Sequence, residues 1–199
     1  RKHWKLPTLL AVGAFGIMAA LGPADAQTRL RFAGNFPEDH TATGAMKMFK
    51  EEVEKRSNGE LQIDNFPAMQ LGGAQENVDQ VRSGTIFAVV TSIAYFTRTV
   101  PEFETLSLPF LFDSRDKACA LIDGEVGKKI DAKLLERGFV SLGYGELGYR
   151  HTTNSQHPIK SVEDFKGLKI RLQPNEVHLA TFRALGANPI AMDVKELYS

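Results

Sequence analysis

The chain has 199 residues, and its 24 lysines and arginines balance 24 aspartates and glutamates, so no large field of one sign marks nucleic acid or an anionic membrane as its partner. One cysteine, Cys119, excludes an internal disulfide. HExxH, CxxC and GxSxG are absent, so no motif calls for a metal or an activated nucleophile.

Residues 1–26 carry the three parts of a secretory signal: Arg1, Lys2 and Lys5, then an apolar stretch over 9–21, then the small-x-small site Ala24-Asp25-Ala26. Cleavage is expected after Ala26, releasing a periplasmic protein that begins at Gln27. The apolar stretch falls short of the roughly 20 residues that span a bilayer, and Gly13, Gly16 and Gly22 weaken it further as a membrane helix. The chain opens on Arg1 without a methionine, which suggests that residues precede it.

Beyond the leader, Leu30 and Phe32 alternate with Arg31 and Ala33, which predicts a strand ending at Gly34-Asn35. Ala45, Phe49 and Val53 then recur on one face, with Lys47, Lys50, Glu51, Glu54 and Lys55 on others. This is the pattern of an amphipathic helix over about 43–56, stopped by Asn58-Gly59. Leu61 and Ile63 mark a second strand, 75–81 a short helix, and 86–90 a continuous apolar run suited to a strand buried on both faces. Strand, helix, strand, helix, strand is the order of parallel pairing through crossovers, hence an α/β fold.

An apolar segment at 106–112 precedes two more predicted helices. Asp113 or Ser114 can cap the first, and Val126, Ile130 and Leu134 form the inner face of the second. Cys119, between Ala118 and Ala120, reads as a small buried core residue. Residues 139–142 return as a strand, Ser161 with Asp164 suits a capping box, and 168–172 begin another strand. Pro174 suits the first turn of a helix beyond it.

Gly143-Tyr144-Gly145-Glu146-Leu147-Gly148 spells GxGxxG after the 139–142 strand, as a dinucleotide fingerprint would. The helix that should receive the pyrophosphate is missing, because Tyr149-Arg150-His151-Thr152-Thr153-Asn154 is polar and β-branched. Glycines that let the chain bend freely are the better reading, and no cofactor is expected.

Arg171 closes the alternating 168–172 run, and a guanidinium at a strand's carboxyl end faces the crevice where open α/β sheets bind ligands. Its planar fork matches a carboxylate, in a charge-assisted contact worth roughly 1.5–3 kcal/mol. An ordinary surface ion pair has the same spacing. The wording around it decides more. Arg150 followed by Thr152-Thr153-Asn154, then Phe165-Lys166-Gly167-Leu168-Lys169-Ile170-Arg171, Ala184-Leu185-Gly186-Ala187-Asn188-Pro189 and Glu196-Leu197-Tyr198, resembles the substrate-binding proteins of tripartite ATP-independent periplasmic (TRAP) transporters, the C4-dicarboxylate-binding family. The match extends back through Gln70-Leu71-Gly72-Gly73 and Gly84 to Phe32-Ala33-Gly34-Asn35, nearly all of the chain after the leader.

The resemblance implies a two-lobed periplasmic solute-binding fold with parallel-rich sheets flanked by helices: a leader at 1–26, a first α/β lobe at 27–148, and the start of a second, incomplete lobe at 149–199. It gives the carboxylate-holding role to Arg171. Arg150, at the expected first crossing, matches a ligand contact of the family's sialic-acid branch, against a hinge salt bridge as the plain alternative. The first lobe should add polar groups where strands end: Asn35 and His40 after the first strand, Glu76 after Gly72-Gly73, and Thr91, Ser92 and Tyr95 after the third. Asn175 could do the same from the second lobe. Capping and turn roles explain His40, Asn35, Glu76, Ser92 and Asn175 equally simply. By resemblance the partners are a small organic acid, a C4-dicarboxylate or a sugar acid such as a hexuronate, and the integral membrane subunits of a TRAP transporter, with the protein a monomer that performs no covalent chemistry. Two alternatives stay open: an exported enzyme using His40 and Glu76 as acid and base, and a binding protein of an ATP-driven transporter.

Overall fold

The computed structural model describes residues 27–197, so the leader and its cleavage site lie outside the described residues, as do Tyr198 and Ser199. Strand β1 (Thr28–Gly34) leads into helix α1 (Thr41–Arg56), β2 (Leu61–Phe66), α2 (Ala74–Arg82) and β3 (Ala88–Val90). All pairings are parallel and the order is β2-β1-β3, with α1 and α2 as the two connections. His40 starts α1 by accepting the Ala42 N–H on Nδ1, and Asn58 and Gly59, both at positive φ, end it. One core lies where Phe32, Ile63 and Ala88 meet Met46 of α1, with Phe49 set edge-on against Phe32.

The chain then runs through two 3-10 turns, Ile93–Tyr95 and Pro101–Ser107, to α3 (Arg115–Ile122) and α4 (Glu125–Glu136). Ser114 is the residue that caps α3, through the Lys117 N–H. A second core gathers Val78 of α2, Tyr95, Val100, Phe103, Ile130, Leu134 and Phe139. Val126 departs from the expected inner face and is exposed, with Gly127 buried beside Ile130 and Leu134 instead. Cys119 is half-buried and lies outside both cores.

Residues 139–142 form no strand: Phe139 is buried, but Val140 and Leu142 face solvent, and no ladder partner exists among the described residues. Tyr144 is tied to α4 by donating to Asp131 at 2.7 Å. Burial first, and the Asp131 carboxylate next, push the Tyr144 phenol up to about 12. No helix follows Gly148, so the GxGxxG string lacks the element a pyrophosphate needs.

Beyond the crossing, a short 3-10 turn (Glu163–Phe165) precedes β4 (Lys169–Leu172), α5 (Glu176–Ala184), β5 (Asn188–Ala191) and a final 3-10 turn (Val194–Glu196). Asp164 supplies one half of the expected capping box by accepting the Ser161 and Lys160 N–H groups. Pro174 stands just before α5, and Asn175 is its cap. β4 and β5 pair in parallel, with Leu168, Leu172, Leu179 and Ala187 buried between sheet and helix. Among the described residues no helix is long and apolar enough to cross a membrane.

Candidate functional site

In the order β2-β1-β3 the connections reverse direction between β1 and β3, which is where open parallel sheets bind ligands beyond their carboxyl ends. Asn35 and Thr91 occupy those two exits, held side by side by the Asn35 N–H to Val90 carbonyl bond at 3.3 Å. The Asn35 amide donates to Asn77 Oδ1, and Asn77 donates in turn to Leu71 and Gln80. Asn35 Oδ1 and Thr91 Oγ1 are left buried without a hydrogen-bond partner.

β4 delivers Arg171 to the same crevice from the other sheet. Its Nε donates to the Met192 carbonyl at 2.8 Å and one Nη2 hydrogen to the Tyr95 hydroxyl at 3.2 Å. Of the five N–H donors of a guanidinium, those on Nη1 have no partner among the described residues. Arg150 donates to Gln173 Oε1 at 3.0 Å, and Gln173 also accepts from Ser92, just beyond β3. Among the described residues neither Arg150 nor Arg171 has a carboxylate within ion-pair distance, although ten other cations do. Enough protein stands around the Arg150 guanidinium that burial, and next the Arg171 charge, lower it from its ordinary value. Burial also raises the Tyr95 phenol, with the Asp193 charge adding to the rise and Arg171 opposing it. Two cations that repel each other beside a buried phenol make a site that an anion stabilises.

The remaining sequence candidates divide. Tyr95 and Ser92 join this cluster, and Ser92 also caps its own turn through the Ala94 N–H. Asn175 is fully buried and committed, accepting the His178 N–H and donating to Ser107. His40 is committed to capping α1 and stacks on Phe36. Glu76 is exposed on the first turn of α2, where it accepts from Gln80. Sequence reasoning passed over Gln173, Glu104 and Asp193. Asp193-x-x-Glu196 has the spacing of a capping box, which signals a turn there but nothing about a second sheet. Among the described residues no group of three or more His, Cys, Asp or Glu could hold a metal.

His178 of α5 lies behind Arg150 with its Nδ1 buried and unpartnered. Burial first, and the Arg150 charge next, push its imidazole down from 6.5 to about 4, with Glu104 opposing. The folded protein therefore holds it neutral, while the unfolded chain takes up a proton as pH falls through about 6.5. Its contribution to stability is full above that pH and is lost as pH falls from about 6.5 toward 4. Melting temperatures between pH 7.5 and 4.5 should fall less steeply in His178→Gln than in the parent; parallel curves would remove His178 as the titrating group.

The model of the family called bacterial extracellular solute-binding protein, family 7, matches residues 32–199. The chain belongs to that family. The family 7 chain is 36% identical over 184 residues to the 2,3-diketo-L-gulonate-binding periplasmic protein YiaO of Escherichia coli K12, covering 92% of itself and 56% of that protein. A TRAP periplasmic solute-binding protein of Sulfitobacter sp. NAS-14.1, solved with bound β-D-galacturonate, superposes with a TM-score of 0.84 at 33% identity, covering 86% of this chain and 57% of that one. A second, from Sulfurospirillum deleyianum with bound succinate, gives a TM-score of 0.81 at 31% identity, covering 87% and 56%. The family 7 chain thus spans a little over half the length of these relatives. The parallel α/β architecture read from the sequence is the one these structures share.

Proposed function

We propose that the protein is an exported solute-binding protein that captures a small organic acid in the crevice between two lobes and delivers it to the integral membrane subunits of a TRAP transporter. The observation that carries this reading is the pair of guanidiniums, Arg171 and Arg150, gathered about Tyr95 beyond the end of β3 with no carboxylate partner among the described residues. Arg171 takes the ligand carboxylate with its remaining donors, and Arg150 approaches from the crossing near 148–149, where the lobes join. A sugar acid suits the first lobe better than a bare dicarboxylate. Asn35 Oδ1 and Thr91 Oγ1 are buried and unmet, and an unmet buried group costs about 1–3 kcal/mol, which a ligand hydroxyl would relieve.

Binding and release suffice for this role, and closure of the lobes on the ligand is the signal the membrane partner reads. The leader would direct the mature protein, a monomer without cofactor, to the periplasm. His40 and Glu76, the pair an exported enzyme would need, are each engaged elsewhere, in a cap and with Gln80. A thermal-shift screen of hexuronates, aldonates and C4-dicarboxylates against the purified protein tests the reading. At least one sugar acid is expected to raise the melting temperature by several degrees and to be recovered chemically unchanged after long incubation. Stabilisation by none of them, or conversion of the one that binds, would contradict it.

A further inference from the structure

Helix α2 begins without a cap of its own. Its N-cap is Gly73, which has no side chain to offer the first-turn amides, and Ala74 is fully buried, so water does not serve its N–H either. The missing acceptor comes from the other sheet. Asp193 Oδ2 accepts the Ala74 N–H at 2.8 Å across a sequence separation of 119, while Asp193 Oδ1 accepts Lys195 N–H at the start of its own turn. One carboxylate thus caps two helical segments, α2 and the 3-10 turn that follows β5. Gly73 has an ordinary extended backbone, φ −68 and ψ 167, which any residue can adopt. What excludes a larger residue there is Asp193: a Cβ on Gly73 would stand 2.8 Å from Oδ2.

Asp193 also follows Met192, whose carbonyl receives the Arg171 Nε–H, and its charge is felt at Tyr95, which receives the Arg171 Nη2–H. Two hydrogen bonds joined by the Met192–Asp193 backbone therefore link the guanidinium to the amino end of α2. A negative group at a helix amino terminus is favourable in charge as well as in hydrogen bonding.

We propose that Asp193 is a positioning residue: it latches the second sheet onto the amino terminus of α2, and so couples the seating of Arg171 on a ligand carboxylate to closure of the crevice. The coupling rests on the ligand role given to Arg171 above; the latch itself does not.

The test is carried out on the full chain and separates the two. Hydrogen exchange at the Ala74 amide reads the latch without any ligand. Asp193→Ala removes the acceptor, and Gly73→Ala wedges a methyl into its place while leaving Asp193 present. In both variants the Ala74 amide is expected to exchange at least tenfold faster than in the parent, with the Val78 amide deeper in α2 unchanged. The double variant should be no faster than either single one, and Asp193→Asn, which keeps an acceptor oxygen, should restore most of the protection. Unchanged protection in both single variants, or loss spread evenly over α2 in all variants including Asp193→Asn, would overturn the latch. With D-galacturonate as probe, Asp193→Ala and Gly73→Ala should release it about tenfold faster and leave spin labels on the two sheets farther apart. Parent-like release and label separation in these variants would overturn the coupling. A parent protein that binds no organic acid would instead overturn the proposed function, and the exchange result would still decide the latch.

Discussion

Arg171→Ala is expected to weaken organic-acid binding by about 2–5 kcal/mol, because a desolvated carboxylate would lose its charged partner. Arg171→Lys should recover little. The guanidinium uses Nε and Nη2 to hold Met192 and Tyr95 and still has Nη1 donors for the ligand, and an ammonium has no such planar division of donors. Arg150→Ala should cost less, since its single hydrogen bond runs to Gln173 and its position is the crossing. Calorimetry on variants with parent-like circular dichroism reads all three. A larger loss at Arg150 than at Arg171 would reverse the two roles.

The second large effect concerns stability at the turn between α3 and α4. Gly127 is buried in the first turns of α4, and a methyl group built there runs into the Ile122 carbonyl oxygen, a backbone atom at the end of α3 that cannot swing away. Alanine favours helix over glycine by about 1 kcal/mol, but overpacking against fixed backbone costs typically 1–3 kcal/mol and occasionally more. Gly127→Ala is therefore expected to destabilise by about 2 kcal/mol net. Gly44, in α1, is the matched comparison, because a Cβ there meets nothing within 4 Å. Gly44→Ala should stabilise by up to about 1 kcal/mol. Urea unfolding of the two variants should give shifts of opposite sign; equal signs would show that the α3–α4 turn relaxes freely.

What the sequence disclosed and what it hid follow from how local each signal is. The alternation of Leu30 and Phe32 and the helical spacing of Phe49 and Val53 are written into neighbouring residues, and β1 and α1 appear where those patterns put them. The strand-end place of Arg171 was legible for the same reason. Residues 139–142 carry strand-like composition yet form none, because a strand exists only with a ladder partner and none stands beside them among the described residues. β5 was missed for the opposite reason: Asn188 and Pro189 are turn-forming residues, and only the parallel partner β4 makes the segment a strand. Capping roles for Asn175 and His40 could be weighed from sequence but not chosen, since a capping side chain and a ligand contact have the same residue types. The bonds from Asp193 to Ala74 and from Glu104 to the Glu176 and Val177 amides join residues far apart in the chain, where no periodicity reaches.

The most direct test of the central claim is a calorimetric titration of D-galacturonate against its neutral methyl ester, run on the same purified protein. If two guanidiniums that have no carboxylate partner among the described residues form the ligand's anchor, the acid should bind and the ester, alike in every hydroxyl but lacking the charge, should bind at least a hundredfold more weakly. Equal affinity for acid and ester would show that Arg150 and Arg171 do not grip a carboxylate.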